Sequence, residues 1–210
     1  MIKKQKKGDK NSDAQRKRSK GGYKFEKEVF EYLDAEIGSN PKINLLRPRS
    51  RAYLPGSTRP HTFSCMQITT PYGDIIGDTD IVVYHVRRKT PLMLISCKTS
   101  LRERLAQSLF HFYLYRKIYP NIKLFFVTKD KSLEMGSIEK PNKNRILLES
   151  ENVYCYTQNP NTKTGGCVKP FGNMVIDIKR MAGIDQKQVA KPVKAVVPMK
   201  AAAPKRKICN

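Results

Sequence analysis

The stretch from residue 92 to 127 constrains the fold of this chain most. Two short apolar runs, Leu92-Met93-Leu94-Ile95 and Ile122 to Val127 (IKLFFV), flank residues 101–118. Within that segment Leu101, Leu105, Leu109, Phe112 and Tyr113 recur at helical spacing, and Pro120 closes it. A strand that reaches the next strand through a helix lies parallel to it. Just upstream, Ile81-Val82-Val83-Tyr84 reads as another strand, separated from Leu92 by the charged turn Arg87-Arg88-Lys89. So short a connection predicts an antiparallel hairpin. One strand with an antiparallel neighbour on one side and a parallel neighbour on the other gives a mixed β-sheet, flanked by helices, and hence an α/β fold.

The remaining elements are placed around that core. Phe25, Val29, Leu33 and Ile37 recur every four residues and predict a helix over 21–37, stopped by Gly38-Ser39-Asn40-Pro41. Short strands are expected near 63–69, 152–157 and at Met174 to Ile178 (MVIDI). Residues 40–74 otherwise read as a basic loop, and 130–173 as a region with few long apolar runs, suited to a recognition insert. The domain is expected to span 21–180, between a disordered basic arm at 1–20 and a basic low-complexity tail at 181–210.

The charge is +23 and unevenly placed: residues 1–20 carry +7, residues 179–210 carry +8, and the central 158 residues hold the other +8. Such arms favour a polyanionic partner, because each neutralised phosphate releases counterions. No apolar run reaches the roughly 18 residues of a membrane span, and no apolar stretch follows the basic N-terminus as in a secretory signal. The five cysteines are widely spaced and contain no CxxC pair, so they read as reduced thiols of a cytoplasmic protein and not as a zinc site.

Chemistry concentrates at two strand ends. Asp80 opens the strand IVVY and Lys98 closes the strand LMLISC. In a hairpin of this length the start of one strand lies beside the end of the other, so the two side chains share one sheet edge. A carboxylate that holds Mg²⁺ against a phosphate, beside a lysine that orients water and offsets developing charge, suits phosphodiester hydrolysis. Mg²⁺ wants six oxygens, so other carboxylates, carbonyls or waters should complete the set.

The pattern Asp80…Ser96-Cys97-Lys98 resembles the PD-(D/E)xK nuclease superfamily, and the string SCKTSLRERLAQ resembles a block of a subset of its type II restriction endonucleases. The segment GYKFEKEVFEYL (22–33) is similar to the leading helix of such enzymes. The resemblance implies a restriction-endonuclease-like core, double-stranded DNA as substrate, one or two Mg²⁺ ions, and the Cys97 carbonyl as a metal ligand. The chain departs from the family pattern twice: Thr79 stands where proline usually precedes the aspartate, and Ser96 stands where a carboxylate is usual. Serine carries no charge, so the missing ligand is expected from Glu103, just after the strand tip, or Glu26, on the leading helix. Glu103 is slightly favoured because its helix leaves directly from the strand that carries Lys98.

Arg102, Arg104 and Gln107 on that helix, Arg47, Arg49, Arg51 and Arg59 in the first loop, and Lys143 and Arg145 in the second are the expected DNA contacts. The Cys97 thiol has no histidine at a legible spacing and reads as a packing group, and His61, His85 and His111 carry no clear role. A two-fold substrate favours a homodimer. A cleavage subunit beside a larger recognition subunit, a junction-resolving or repair nuclease, and a non-catalytic basic binding protein are the alternatives. The last gives no reason for Asp80, Lys98 and Glu103 to converge.

Overall fold

The computed structural model describes residues 8–48, 67–71, 73–77, 79–99, 104–131, 133, 135 and 153–184. In chain order these form α1 (Gly8–Ile37), β1 (Ile43–Leu46), β2 (Gln67–Thr70), β3 (Gly73–Ile76), β4 (Ile81–His85), β5 (Thr90–Lys98), α2 (Arg104–Ile118), β6 (Lys123–Thr128), β7 (Val153–Thr157), β8 (Val168–Pro170) and α3 (Asn173–Met181). Six strands make one sheet in the order β1-β4-β5-β6-β7-β8, and β2 and β3 pair as a separate hairpin. The pairings β1–β4 and β4–β5 are antiparallel, while β5–β6, β6–β7 and β7–β8 are parallel. The mixed sheet expected from the apolar runs is therefore present, and β5 is the strand at which its direction rule changes.

Strand alternation sorts the core into two layers. Ile81, Val83, Met93, Ile95, Cys97, Phe125 and Val127 face one side, where Phe25, Val29, Leu33 and Ile37 of α1 and Met174, Val175 and Ile178 of α3 cover them. Val82, Tyr84, Leu94, Leu124 and Phe126 face the other side, beneath Phe112 and Tyr115 of α2. The sheet is thus enclosed by helices on both faces, which is why its central strands are apolar throughout.

Several expectations need correction. Residues 8–20 are helical and not an arm without structure, since α1 begins at Gly8. Once the stripe from Phe25 to Ile37 has nucleated a helix, a run of Lys, Arg, Gln and Ala can extend it without an apolar face of its own. The loop 40–74 contains β1, which pairs along β4 from Ile43↔His85 to Leu46↔Val82, as well as the hairpin of β2 and β3. MVIDI lies in α3 and not in a strand. Met174, Val175 and Ile178 share one buried helical face, a spacing that the short run left ambiguous with alternation. The region 130–173 supplies β7 and β8 to the central sheet. Tyr113, expected inward, is 54 % exposed, and Tyr115 takes the buried place.

Packing also runs past residue 180. Ile184 N–H donates to Lys179 O and Gly183 N–H to Arg180 O, with Gly183 at φ +63°. This pair of bonds is a Schellman cap, which needs a residue that tolerates positive φ, and it folds Ile184 back onto the core. No described helix is long and apolar enough to cross a membrane.

Candidate active site

The site is built where the direction of pairing changes. Ile81 is opposite Ile95. Extending that register by one sets Asp80 opposite Ser96 and diagonal to Lys98, within reach of a long side chain. Lys98 Nζ lies 2.9 Å from Asp80 Oδ2, and the same oxygen accepts the Cys97 N–H at 2.7 Å. Both side chains are buried. A residue's N–H and C=O leave an extended strand on the same edge, so the Cys97 carbonyl also faces the Asp80 side of β5.

The approach to Asp80 is held from α2. Gly77 N–H donates to Tyr115 Oη at 2.9 Å, and a Cβ at Gly77 would stand 2.5 Å from the Tyr115 ring. Only glycine fits there without moving the ring. Thr79 N–H then bonds Gly77 O, and Asp80 N–H bonds Ile95 O. The departure at Thr79 has a local consequence: proline would lose the bond to Gly77. Ser96 shares a 3.1 Å hydrogen bond with Ser108 Oγ, which docks α2 on β5.

Other groups converge on this edge. β5, β6 and β7 end in register at Lys98, Thr128 and Thr157. Beyond them the two loops are tied together by Asp130, which takes Thr162 Oγ1 at 2.5 Å and the Met135 N–H at 3.3 Å, while its carbonyl takes Asn159 Nδ2. Lys129, next in line after Thr128, pairs with Glu28 of α1 at 2.9 Å. Burial pushes the Cys97 thiol well above its ordinary range, and the Asp80 carboxylate adds to that. Lys98 and Arg47 act in the opposite sense, and Glu26 acts with Asp80. So high a thiol pKa agrees with packing and not with nucleophilic chemistry. The same balance places Glu26 and Arg47 within electrostatic reach of the β5 tip.

Of the residues expected from sequence, Asp80, Ser96, Cys97, Lys98, Glu26 and Arg47 therefore gather at one end of the sheet. Glu103, Arg102, Arg49, Arg51, Arg59, Lys143 and Arg145 lie outside the described residues, as does His61. Arg104 opens α2, and Gln107 is exposed on it. His85 is buried and accepts the Arg88 N–H. His111 gains a neighbour that sequence did not suggest: partial burial and then the Lys98 charge hold its imidazole below the ordinary value of 6.5. The available signal was its place one turn beyond Ser108 on the same helix. Among the described residues there is no group of three or more His, Cys, Asp or Glu able to hold a metal.

A mixed sheet between helices, with a paired carboxylate and lysine at adjacent strand ends, is the restriction-endonuclease-like α/β fold. Residues 62–180, over half of the chain, match the family described as BsaWI restriction endonuclease type 2. The chain belongs to this family of type II restriction endonucleases. A search of curated proteins finds no match.

Proposed function

We propose that this chain is a magnesium-dependent endonuclease that hydrolyses phosphodiester bonds of double-stranded DNA at a specific sequence, acting as a homodimer. The carrying observation is the buried Asp80–Lys98 pair, 2.9 Å apart at converging strand ends. The desolvation of this pair is costly, and its placement against the Cys97 backbone at the strand ends supports a catalytic role.

The donors at this edge suit magnesium. It takes hard oxygen ligands, commonly one or two carboxylates, and completes its shell with water and substrate phosphate. Asp80, Glu26 and the Cys97 carbonyl would hold it. Of the two glutamates offered by the sequence, Glu26 has support in the packing of α1 over β5 and in its electrostatic reach to Cys97. Bound there, magnesium would supply positive charge beside the scissile phosphate and lower the pKa of a coordinated water.

The chain's own residues do the rest. Asp80 fixes the β5 tip through the Cys97 N–H and holds the Lys98 ammonium in place. As water adds to phosphorus and a P–O ester bond breaks, charge grows on the non-bridging oxygens, and Lys98 is placed to meet it. Each copy of the dimer cuts one strand of a two-fold site.

A plasmid digest tests the reading. With Mg²⁺ the protein yields discrete fragments, and EDTA stops it. Asp80→Ala and Lys98→Ala each lower the rate by about 10³-fold or more and still bind DNA. Glu26→Gln raises the Mg²⁺ concentration needed for half-maximal rate, whereas Glu103→Gln leaves it unchanged. Full activity in either the Asp80 or the Lys98 variant rejects the assignment.

A further inference from the structure

Arg47 was expected to be one of several loop arginines that contact DNA. Its position is more specific. Leu46 pairs with Val82, so the next residue along β1 emerges beside Ile81, at the sheet end that carries Asp80. Two rings of α1 hold its guanidinium: the carbon lies 5.1 Å from the Tyr23 centroid and 5.5 Å from that of Phe30. Among the described residues no carboxylate pairs with it. Aromatic faces attract the cation but leave its in-plane N–H donors available. The result is a cationic fork, fixed in direction by two rings and lacking an anion from the described protein. Phosphate matches such a fork in shape and charge.

We infer that Arg47 binds a single phosphate of the strand being cut, at or next to the scissile position, with Tyr23 and Phe30 as the platform that aims it. This rests on the nuclease reading above and adds a named phosphate-binding residue to it. Rigid placement matters here, because an arginine that must be ordered on binding would lose part of its effect to entropy.

The test uses the full chain and synthetic duplexes spanning the cut site mapped by plasmid digestion. In one set, individual phosphates around the cut are replaced by neutral methylphosphonates. Arg47→Ala should lower the single-turnover rate by about 10²-fold, while binding to unrelated duplex falls much less. One methylphosphonate position should slow the wild-type protein strongly yet leave Arg47→Ala almost unaffected, because the contact is already gone. Arg47→Lys should recover part of the rate, keeping the charge without the fork. Tyr23→Leu, at a side chain 59 % exposed and so harmless to the core, should cost about 3-fold. A purely structural role would lower the melting temperature and leave every methylphosphonate penalty as in the wild type, and that outcome overturns the inference. A wild-type protein that cuts no duplex with Mg²⁺ would instead reject the nuclease reading itself.

Discussion

Two buried aspartates in this molecule each hold a lysine, and they do different things. Asp80 lies in the middle of the sheet, between β4 and β5, and takes the Lys98 ammonium and the Cys97 N–H from a single strand tip. Asp177 lies at the far edge. It accepts Tyr156 Oη from β7 at 2.8 Å, Lys169 Nζ from β8 at 2.5 Å, and the guanidinium of Arg180 from its own helix. Burial, and then the bond to Asp177, push the Tyr156 hydroxyl well above its ordinary range, so it remains a donor. The Asp177 cluster draws on three elements and sews α3 to the sheet. The Asp80 pair holds the tip of β5 against the start of β4. A buried ion pair is therefore no signature of catalysis by itself. What separates the two is position across the sheet: Asp80 stands at the β4–β5 hairpin, where antiparallel and parallel pairing meet, and Asp177 at the β7–β8 edge.

The comparison can be broken by exchanging roles. Lys98→Met should lower cleavage by about 10³-fold or more, whereas Lys169→Met should leave the rate of the folded protein within about 2-fold, since it touches no reacting group. Equal losses in a plasmid assay would show that the lysines do not divide as described. Next in size is stability. Asp177→Asn leaves Lys169 and Arg180 without their counter-ion. Both are partly exposed (26 % and 58 %), so the cost is discounted to about 2 kcal/mol. In a chain of this length that is about 4–8 °C in melting temperature. Asp80→Asn keeps an acceptor for the Cys97 N–H but leaves the buried Lys98 ammonium without its counter-ion, and should shift melting at least as much.

The smallest effect sharpens the Asp80 side. The His111 pKa lies below its ordinary 6.5 in the folded protein, so the folded state binds fewer protons than the unfolded state in the window below that value. Stability from this group is therefore lost as pH falls below 6.5 and is unaffected above it. Denaturant titrations at pH 7.5 and 5.0 should show His111→Gln losing less stability on acidification than the wild type. Parallel losses would show that burial and the Lys98 charge do not hold the His111 imidazole below its ordinary range.

The central part of this design was legible in the chain. Val82 to Tyr84 and Leu92 to Ile95, joined by a charged turn, could hardly avoid a hairpin, and Asp80 and Lys98 followed as its paired ends. The stripe from Phe25 to Ile37 also brought Glu26 beside the buried face. The misses share a cause. INLL at 43–46 is too short, between Pro41 and Pro48, to announce a strand without the β4 edge that completes it. MVIDI read as a strand, because nothing local reveals that Tyr156, Lys169 and Arg180 converge on the Asp177 within it. The contact of Tyr115 with Gly77 depends on how α2 lies across β5, which no spacing encodes.

The register of the β4–β5 hairpin slips between Val83 and Tyr84: Tyr84 faces Pro91, Val83 faces Met93, and Leu92 is the extra residue. A bulge suits this place, since Pro91 has no N–H to give to a regular ladder. Without the slip, Leu92 would sit opposite Val83, and every later residue of β5 would move back by one. Side chains alternate, so the lysine would then face α1 and the Cys97 sulfur would take its place below α2. The hairpin thus has a phase as well as a length, and a half-period error at its closed end would be transmitted along the strand to the far tip. Within that hairpin, changes in residue number divide by parity: an even change can preserve which face meets Asp80, and an odd one needs another bulge to restore it.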